Sequence, residues 1–378
     1  MPSAIAEWPA WVEYPKKTPY YDKDPEFNQR REEGDPRGSI TDEIAARGNS
    51  LIPVFEASQL AGGFTGKEKD EIMEKGCLVI RGVIPKEQAD QLYEDLGNYV
   101  SKINSRITAP IKALLTLSST LMVSVIVPPL QPFLGLGPHI DAGSFSRWAD
   151  PAYRKAYSDI FSGNFENYDP YDLGARISAV QDLYKASAHS SVFRSFQGWT
   201  ALTRTAPREG TLLVYPHIAA TIAYVLLRPF FKPPSDELQL MDASKWTVDK
   251  DSSWFPGTVK TQSQRLSRSS HPHLRLEECL VHIPVMNPGD TVWGHSDLCH
   301  AVDSEHHGAV NASVVYIAAC PSTPASRAYV KRQLEYTRSG RPPADFASAT
   351  TLDETTLDGY VGHTGMSAEA KAAFGYYL

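Results

Sequence analysis

At 378 residues the chain is long enough for two to three domains, or for one large β domain with helical additions. Its 42% hydrophobic and 21% charged residues are those of an ordinary globular protein and exclude a disordered or fibrous chain. A net charge of −7 gives no long-range pull on phosphate, so neither nucleic acid nor an acidic membrane surface is expected as a partner. The four cysteines, Cys77, Cys279, Cys299 and Cys320, have neither zinc-knuckle spacing nor disulfide density and read as reduced thiols.

The N-terminus has no basic start followed by an apolar run and a cleavage site, so a cytoplasmic protein is expected. Residues 1–60, rich in Pro, Arg, Glu and Asp, predict an extended arm with one short helix near 39–47, and residues 61–378 a single domain. Thr65 followed by KEKDEIMEK and Gly76 predicts a capped helix with a glycine stop, and CLVIRGV at 77–83 a strand. From Pro85, Ala89, Leu92, Leu96, Tyr99 and Ile103 recur at helical spacing. The apolar run 111–127 contains Lys112, stops at Pro128-Pro129 and is short of the roughly 20 residues that a membrane-spanning helix needs.

Beyond Pro138 short β-like runs dominate, at 198–204, 210–215, 279–285, 291–293 and 312–319, with an apolar helix at 218–227 and a polar surface excursion at 235–270. Short strands separated by Pro, Gly and Asp turns predict a sandwich, jelly roll or barrel, mainly β with flanking helices (α+β). There is no P-loop, no GxSxG and no GxGxxG after a strand.

Seven of the eleven histidines fall between His271 and His307. Alternation in a strand sends His139 and Asp141 to the same side, where imidazole and carboxylate converge. His295 and Asp297 form a second such pair. A two-histidine, one-carboxylate iron site needs one further histidine from a distant strand. His300 supplies it for the first pair, whereas the second has only His306, His307 or His363. His139, Asp141 and His300 are therefore the expected ligands, with His295 and Asp297 supporting them from behind. Asp290 is expected to shape the turn into the strand ahead of His300.

The order HxD, GWTALTRTAPREGTLLVYP, VMNPGDTVWGHSDLCHAV resembles the iron(II)/2-oxoglutarate oxygenases of the phytanoyl-CoA-hydroxylase-like branch. More closely, GPHIDAGSFSRW, AYVLLRPFF, NASVVYIAACPSTP and RPPADF resemble the YbiU-like proteins of bacteria and fungi. The resemblance implies a double-stranded β-helix (jelly roll, cupin-like), with Fe(II) and 2-oxoglutarate as cofactors and O₂ as co-reactant. It further implies oxidation of an unactivated C–H bond of a small molecule, an amino acid or a secondary metabolite.

One departure bears on the co-substrate. Such oxygenases carry an arginine about ten residues after the second metal histidine, for the far carboxylate of 2-oxoglutarate. Between Ala301 and Ser313 there is none, and Asn311 and Ser313 are expected to face inward instead. The fork of a guanidinium best matches a carboxylate, and the substitutes are Arg147 first, then Arg327 and Arg204. Trp148 and Trp199 are candidates for the pocket wall. The missing arginine also suits two rivals: a non-catalytic relative, and a cupin-like metal protein independent of 2-oxoglutarate.

Residues 105–131 align with no part of the family pattern and carry no charge from Ala113 to Phe133. They read as foreign to the fold, as from a retained intron, and predict an absent core strand and an incomplete co-substrate pocket. A buried helix or a shortened loop are the alternatives.

Overall fold

The computed structural model describes residues 40–103, 114–117, 122–127, 136–141, 144–184, 190–249, 255–258, 263–342, 353–356, 360 and 362–378. Its strands are β1 (Val54–Glu56), β2 (Cys77–Arg81), β3 (Leu114–Leu117), β4 (Met122–Val127), β5 (His139–Ile140), β6 (Phe196–Ala201), β7 (Leu212–Val214), β8 (Phe231–Lys232), β9 (Thr247–Val248), β10 (Gln264–Arg265), β11 (Val281–His282), β12 (Thr291–His295), β13 (His300–Val302) and β14 (Ala312–Ala319). One sheet runs β1-β2-β12-β6-β14-β4-β3, a second β10-β5-β13-β7-β11, and β8 and β9 pair on their own. All ladders are antiparallel except β1 with β2. The fold is thus mixed α+β, with the described strands in separate sheets that do not close into a barrel. No helix among the described residues is long and apolar enough to cross a membrane.

Local chemistry sets the elements around this frame. Thr65 and Glu68 form a reciprocal cap on the helix Gly66–Lys75, and Gly76 ends it at φ 74°. A β-carbon on Gly76 would stand 2.8 Å from Ile218 Cβ, so glycine serves both the turn and the close approach of the next helix. That helix, Ile218–Leu227, starts on the His217 side chain and buries Ile218, Ile222 and Val225 in the main core. Asp290 accepts hydrogen bonds from the Asn287 and Gly82 amides at 2.8 and 2.9 Å and from Arg81 Nη1 at 2.6 Å. It shapes the turn into β12 and ties that turn to the end of β2.

Two expectations about the chain before the site are corrected. Of residues 1–60, the described part contains the short helix expected near 39–47 and is packed on the domain rather than extended. The helix Ile40–Arg47 buries Ile44, Leu51 and Ile52 join the same core, and β1 adds a strand to the large sheet. Residues 1–39 lie outside the described residues. The second correction concerns 105–131, where no core strand is missing. β4 pairs with β14 through Val127 with Ala312 to Ser124 with Val315, and β3 pairs with β4 on its other side.

Candidate metal centre

β5 is two residues long, but its register fixes the site. His139 lies directly opposite His300 on the neighbouring strand β13, which puts both rings on one face, with centroids 4.3 Å apart. Asp141 follows two residues on. Its Oδ1 lies 3.5 Å from His139 Nε2 and 3.4 Å from His300 Nε2, and all three potential ligand atoms fall within 4.8 Å of one another.

The remaining polar atoms of the triad are tied down. His139 Nδ1 is 2.7 Å from the Gly137 carbonyl oxygen and His300 Nδ1 is 2.9 Å from that of Leu298. A carbonyl only accepts, so each Nδ1 carries a proton and each Nε2 is aimed at Asp141, where it holds a proton towards that carboxylate or, once that proton is lost, offers a lone pair to a metal. Gln197 Nε2 donates to Asp141 Oδ2 and leaves Oδ1 facing the imidazoles. Outer hydrogen bonds of this kind fix the tautomer and aim of metal ligands. Burial alone would raise the Asp141 carboxyl. The His300 charge, hydrogen bonds from His139 and His300, and the Arg194 charge outweigh it and hold the group well below the usual carboxylate range. Two imidazole nitrogens and an ionised carboxylate suit a divalent transition metal and leave its other positions open. The donor set therefore fits iron(II).

The triad opens on a cavity of about 570 Å³ between the two large sheets, walled by side chains such as Trp199, Val292, Val214 and Val314. Trp199, expected at the pocket wall, is among the residues that line this cavity. Trp148 is not: it is buried against Phe255, with ring centroids 5.5 Å apart, behind the wall. His295 lines the cavity with both nitrogens engaged, Nε2 donating to the Pro170 carbonyl at 2.8 Å and Nδ1 accepting the Asp297 amide at 3.0 Å. His306 is buried outside the cavity lining, where its Nδ1 accepts the Gly308 amide.

None of the residues expected to anchor the co-substrate lines the cavity. The Arg147 fork is taken by Asp297 Oδ1, at 3.1 Å from Nε and 2.7 Å from Nη2, and by the Ser296 carbonyl. Arg204 pairs with Glu209 on the surface, and Arg327 reaches Ser322 at the start of the helix Pro324–Arg338. The expected phase of β14 is reversed. Ala312, Val314 and Tyr316 face the cavity, so Asn311 and Ser313 point the other way. There Asn311 donates to the Tyr93 hydroxyl at 3.2 Å, and Val315 packs with Leu96 of the helix Lys86–Ile103.

Two residues of the site escaped the sequence reading. Gln197 could have been found, since it shares the inward face of β6 with Trp199 and is the polar residue there. Arg194 lines the cavity from the segment ahead of β6, and no periodicity marks it.

Fold and site together define a mixed α+β protein with a His-Asp-His group fit for a metal ion. The chain belongs to the Gig2-like family, which it matches over residues 23–116 and 124–376. It is 29% identical over 405 aligned positions to the uncharacterized protein YbiU of Escherichia coli (strain K12), across 92% of this chain and 91% of YbiU. Two crystal structures share the fold. GlcNAc Inducible Gene 2, GIG2 (DUF1479), from Candida albicans superposes with a TM-score of 0.76 at 24% identity, over 96% of this chain and 85% of its own. Hypothetical protein JW0805 from Escherichia coli gives 0.75 at 26% identity, over 99% and 98%. The family match includes most of 105–131, so the expectation that none of this stretch aligns is also corrected.

Proposed function

We propose that the protein is an iron(II)/2-oxoglutarate-dependent oxygenase that oxidises an unactivated C–H bond of a small molecule. The observation that carries this reading is the tethered triad: two Nε2 atoms and one carboxylate oxygen converge, with every other polar atom of the three side chains held away. The strand orders support it. Within the two sheets, β4-β14-β6-β12 and β5-β13-β7-β11 are eight strands that alternate between sheets along the chain, apart from β7 and β11. That alternation is expected of a double-stranded β-helix.

Iron(II) bound at the triad would supply O₂ activation coupled to decarboxylation of 2-oxoglutarate. His139 and His300 would hold the metal through Nε2 and Asp141 through Oδ1, while Gln197 keeps Oδ2 away from it. The apolar walls would exclude water from the reacting groups. Succinate formation from 2-oxoglutarate with Fe(II) and ascorbate, supplied with amino-acid pools, tests the reading.

One observation favours a second reading, a metal protein independent of 2-oxoglutarate. On the Thr205 and Thr211 side of the triad the lining includes Thr205, Thr211, Leu212, Val302 and Ala312, and the one cation among the described lining residues, Arg194, stands ahead of β6. Bound iron with no succinate under any pool would select it.

A further inference from the structure

We infer that Arg194 is the recognition residue for the molecule that is oxidised, which is therefore a small carboxylic acid with an apolar body. This rests on the triad as a metal site.

Arg194 is the one arginine or lysine among the described residues lining the cavity. The buried arginines are all satisfied, Arg147 by Asp297, Arg176 by the Asp169 and Asp172 carbonyls and the Tyr168 hydroxyl, Arg228 by the Ser270 and Phe231 carbonyls, whereas Arg194 is half-buried. No hydrogen bond or ion pair joins Arg194 to another described residue. Its charge is felt by Asp141, but a divalent metal on Asp141 would consume that carboxylate. A half-buried guanidinium at the edge of an apolar cavity, with no protein partner, is open to an anion there, and a carboxylate matches its fork.

The ladders place Arg194 on the opposite side of the triad from the remaining polar groups. Gln197, bonded to Asp141, marks the level of the triad on β6. Arg194 precedes it by three residues, at most about 10 Å of chain, and the Ser195 amide, bonded to the Ala319 carbonyl at 2.8 Å, holds this lead-in against the end of β14. In the other direction β6 runs towards Thr205. On β7, Val214 stands opposite His300, and Leu212 opposite Val302 leads to Thr211. The Thr205 and Thr211 hydroxyls are buried in the lining without a hydrogen-bond partner. The triad therefore lies between a neutral hydroxyl pair and a guanidinium. A co-substrate chelating the metal has the hydroxyls within its half of the cavity, which leaves Arg194 for a second molecule, whose apolar body meets Tyr316, paired with Trp199 next to the triad.

Ligand-observed NMR on the full, metal-free chain tests this without turnover, using hexanoate and phenylacetate, each against its own primary amide. Each acid is expected to bind at least about tenfold more tightly than its amide; Arg194→Gln should abolish the preference and Arg194→Lys keep part of it. Amides that bind as well as acids, or a preference that survives in Arg194→Gln, overturn the inference. A second arm separates the two sources of carboxylate: 2-oxoglutarate affinity of the Co(II)-loaded chain, read from its visible spectrum, should change by no more than about twofold in Arg194→Gln. A loss of about tenfold or more would assign Arg194 to the co-substrate and overturn the inference. If Co(II) does not bind the wild-type chain, the triad reading fails and takes the oxidised molecule with it, whereas failure of the acid preference alone leaves the triad standing.

Discussion

The Arg147–Asp297 pair separates a structural arginine from a co-substrate anchor, and double substitution decides between them. The pair is buried, at 7% and 0% side-chain exposure, and Asp297 Oδ2 also accepts the Tyr157 hydroxyl at 2.8 Å. Removing one partner of such a pair costs about 3–5 kcal/mol, because the other charge is left in a medium that cannot solvate it. Asp297→Leu should reach the upper end, since it also strands the Tyr157 hydroxyl, worth about 1–3 kcal/mol. Arg147→Met should cost about 3 kcal/mol. The double variant leaves neither charge and should be less destabilised than either single one. Urea unfolding of the four proteins measures the cycle, and Co(II) and 2-oxoglutarate titrations of the double variant should match the wild type, because neither side chain lines the cavity. Burial would raise the Asp297 carboxyl, but the Arg147 charge and hydrogen bond and the Arg176 charge outweigh it and lower the group. A lowered folded-state pKa gives stability that is fully present above the unfolded value and lost as pH falls through the folded one. The wild-type advantage over the double variant should therefore hold from about pH 5 to 8 and shrink below about pH 4. Additive single costs, or an Arg147→Met protein that is stable but has lost 2-oxoglutarate, would refute the reasoning.

His139→Ala, Asp141→Ala and His300→Ala should each abolish Co(II) binding by spectroscopic titration, whereas His295→Ala and His306→Ala, neither of which is hydrogen-bonded to the triad, should leave it unchanged. Gln197→Leu frees Asp141 Oδ2 and should lower metal affinity about 10- to 100-fold in the same titration, with little change in melting temperature. Gly198→Ala would set a β-carbon 1.8 Å from the Val292 carbonyl oxygen, and because backbone cannot step aside it should cost about 3 kcal/mol in thermal or urea unfolding. Ser124→Pro removes an amide from a strand with ladder neighbours on both sides, Leu115 and Val315. It should cost about 3 kcal/mol or more and reduce soluble yield; an unchanged melt would mean that β4 does not pair in solution.

What was legible in the sequence followed from short-range chemistry. The Thr65–Glu68 cap and Gly76 stop are written in consecutive residues, and the His139–Asp141 spacing places two donors on one side wherever the chain is extended. The choice of His300 over the histidines around it came from chain spacing and strand order, and the β5–β13 register puts it opposite His139. Long-range pairings left no such trace. Nothing near Arg147 announces Asp297, 150 residues away, so a committed arginine reads like a free one. The phase of β14 was illegible for a different reason. The cavity covers one face and the helix Lys86–Ile103 covers part of the other through Leu96 and Tyr93. A strand with both faces covered loses the polar–apolar alternation that tells inside from outside, and an error of one residue exchanges the faces.

The same physics explains why 105–131 looks foreign. Charge-free composition set this stretch apart, yet β14, ASVVYIAA, carries no charge either. β14 has β6 on one side and β4 on the other, and β4 in turn has β3. Without β4 the backbone of β14 would be open along one edge, which in a long apolar strand is an invitation to pair with another chain. Strands inside a sheet tend towards short, β-branched, uncharged runs, and by periodicity such runs cannot be told from a buried helix; MVSVIV is one of them. The gap in the family match, from 117 to 123, falls where β3 ends at Leu117 and β4 begins at Met122. Connections between paired strands are where length and sequence change most freely. The alignment with YbiU is longer than this whole chain, so that relative has residues with no counterpart here. Wherever that difference in length falls, β4 beside β14 keeps the ladder along that edge closed.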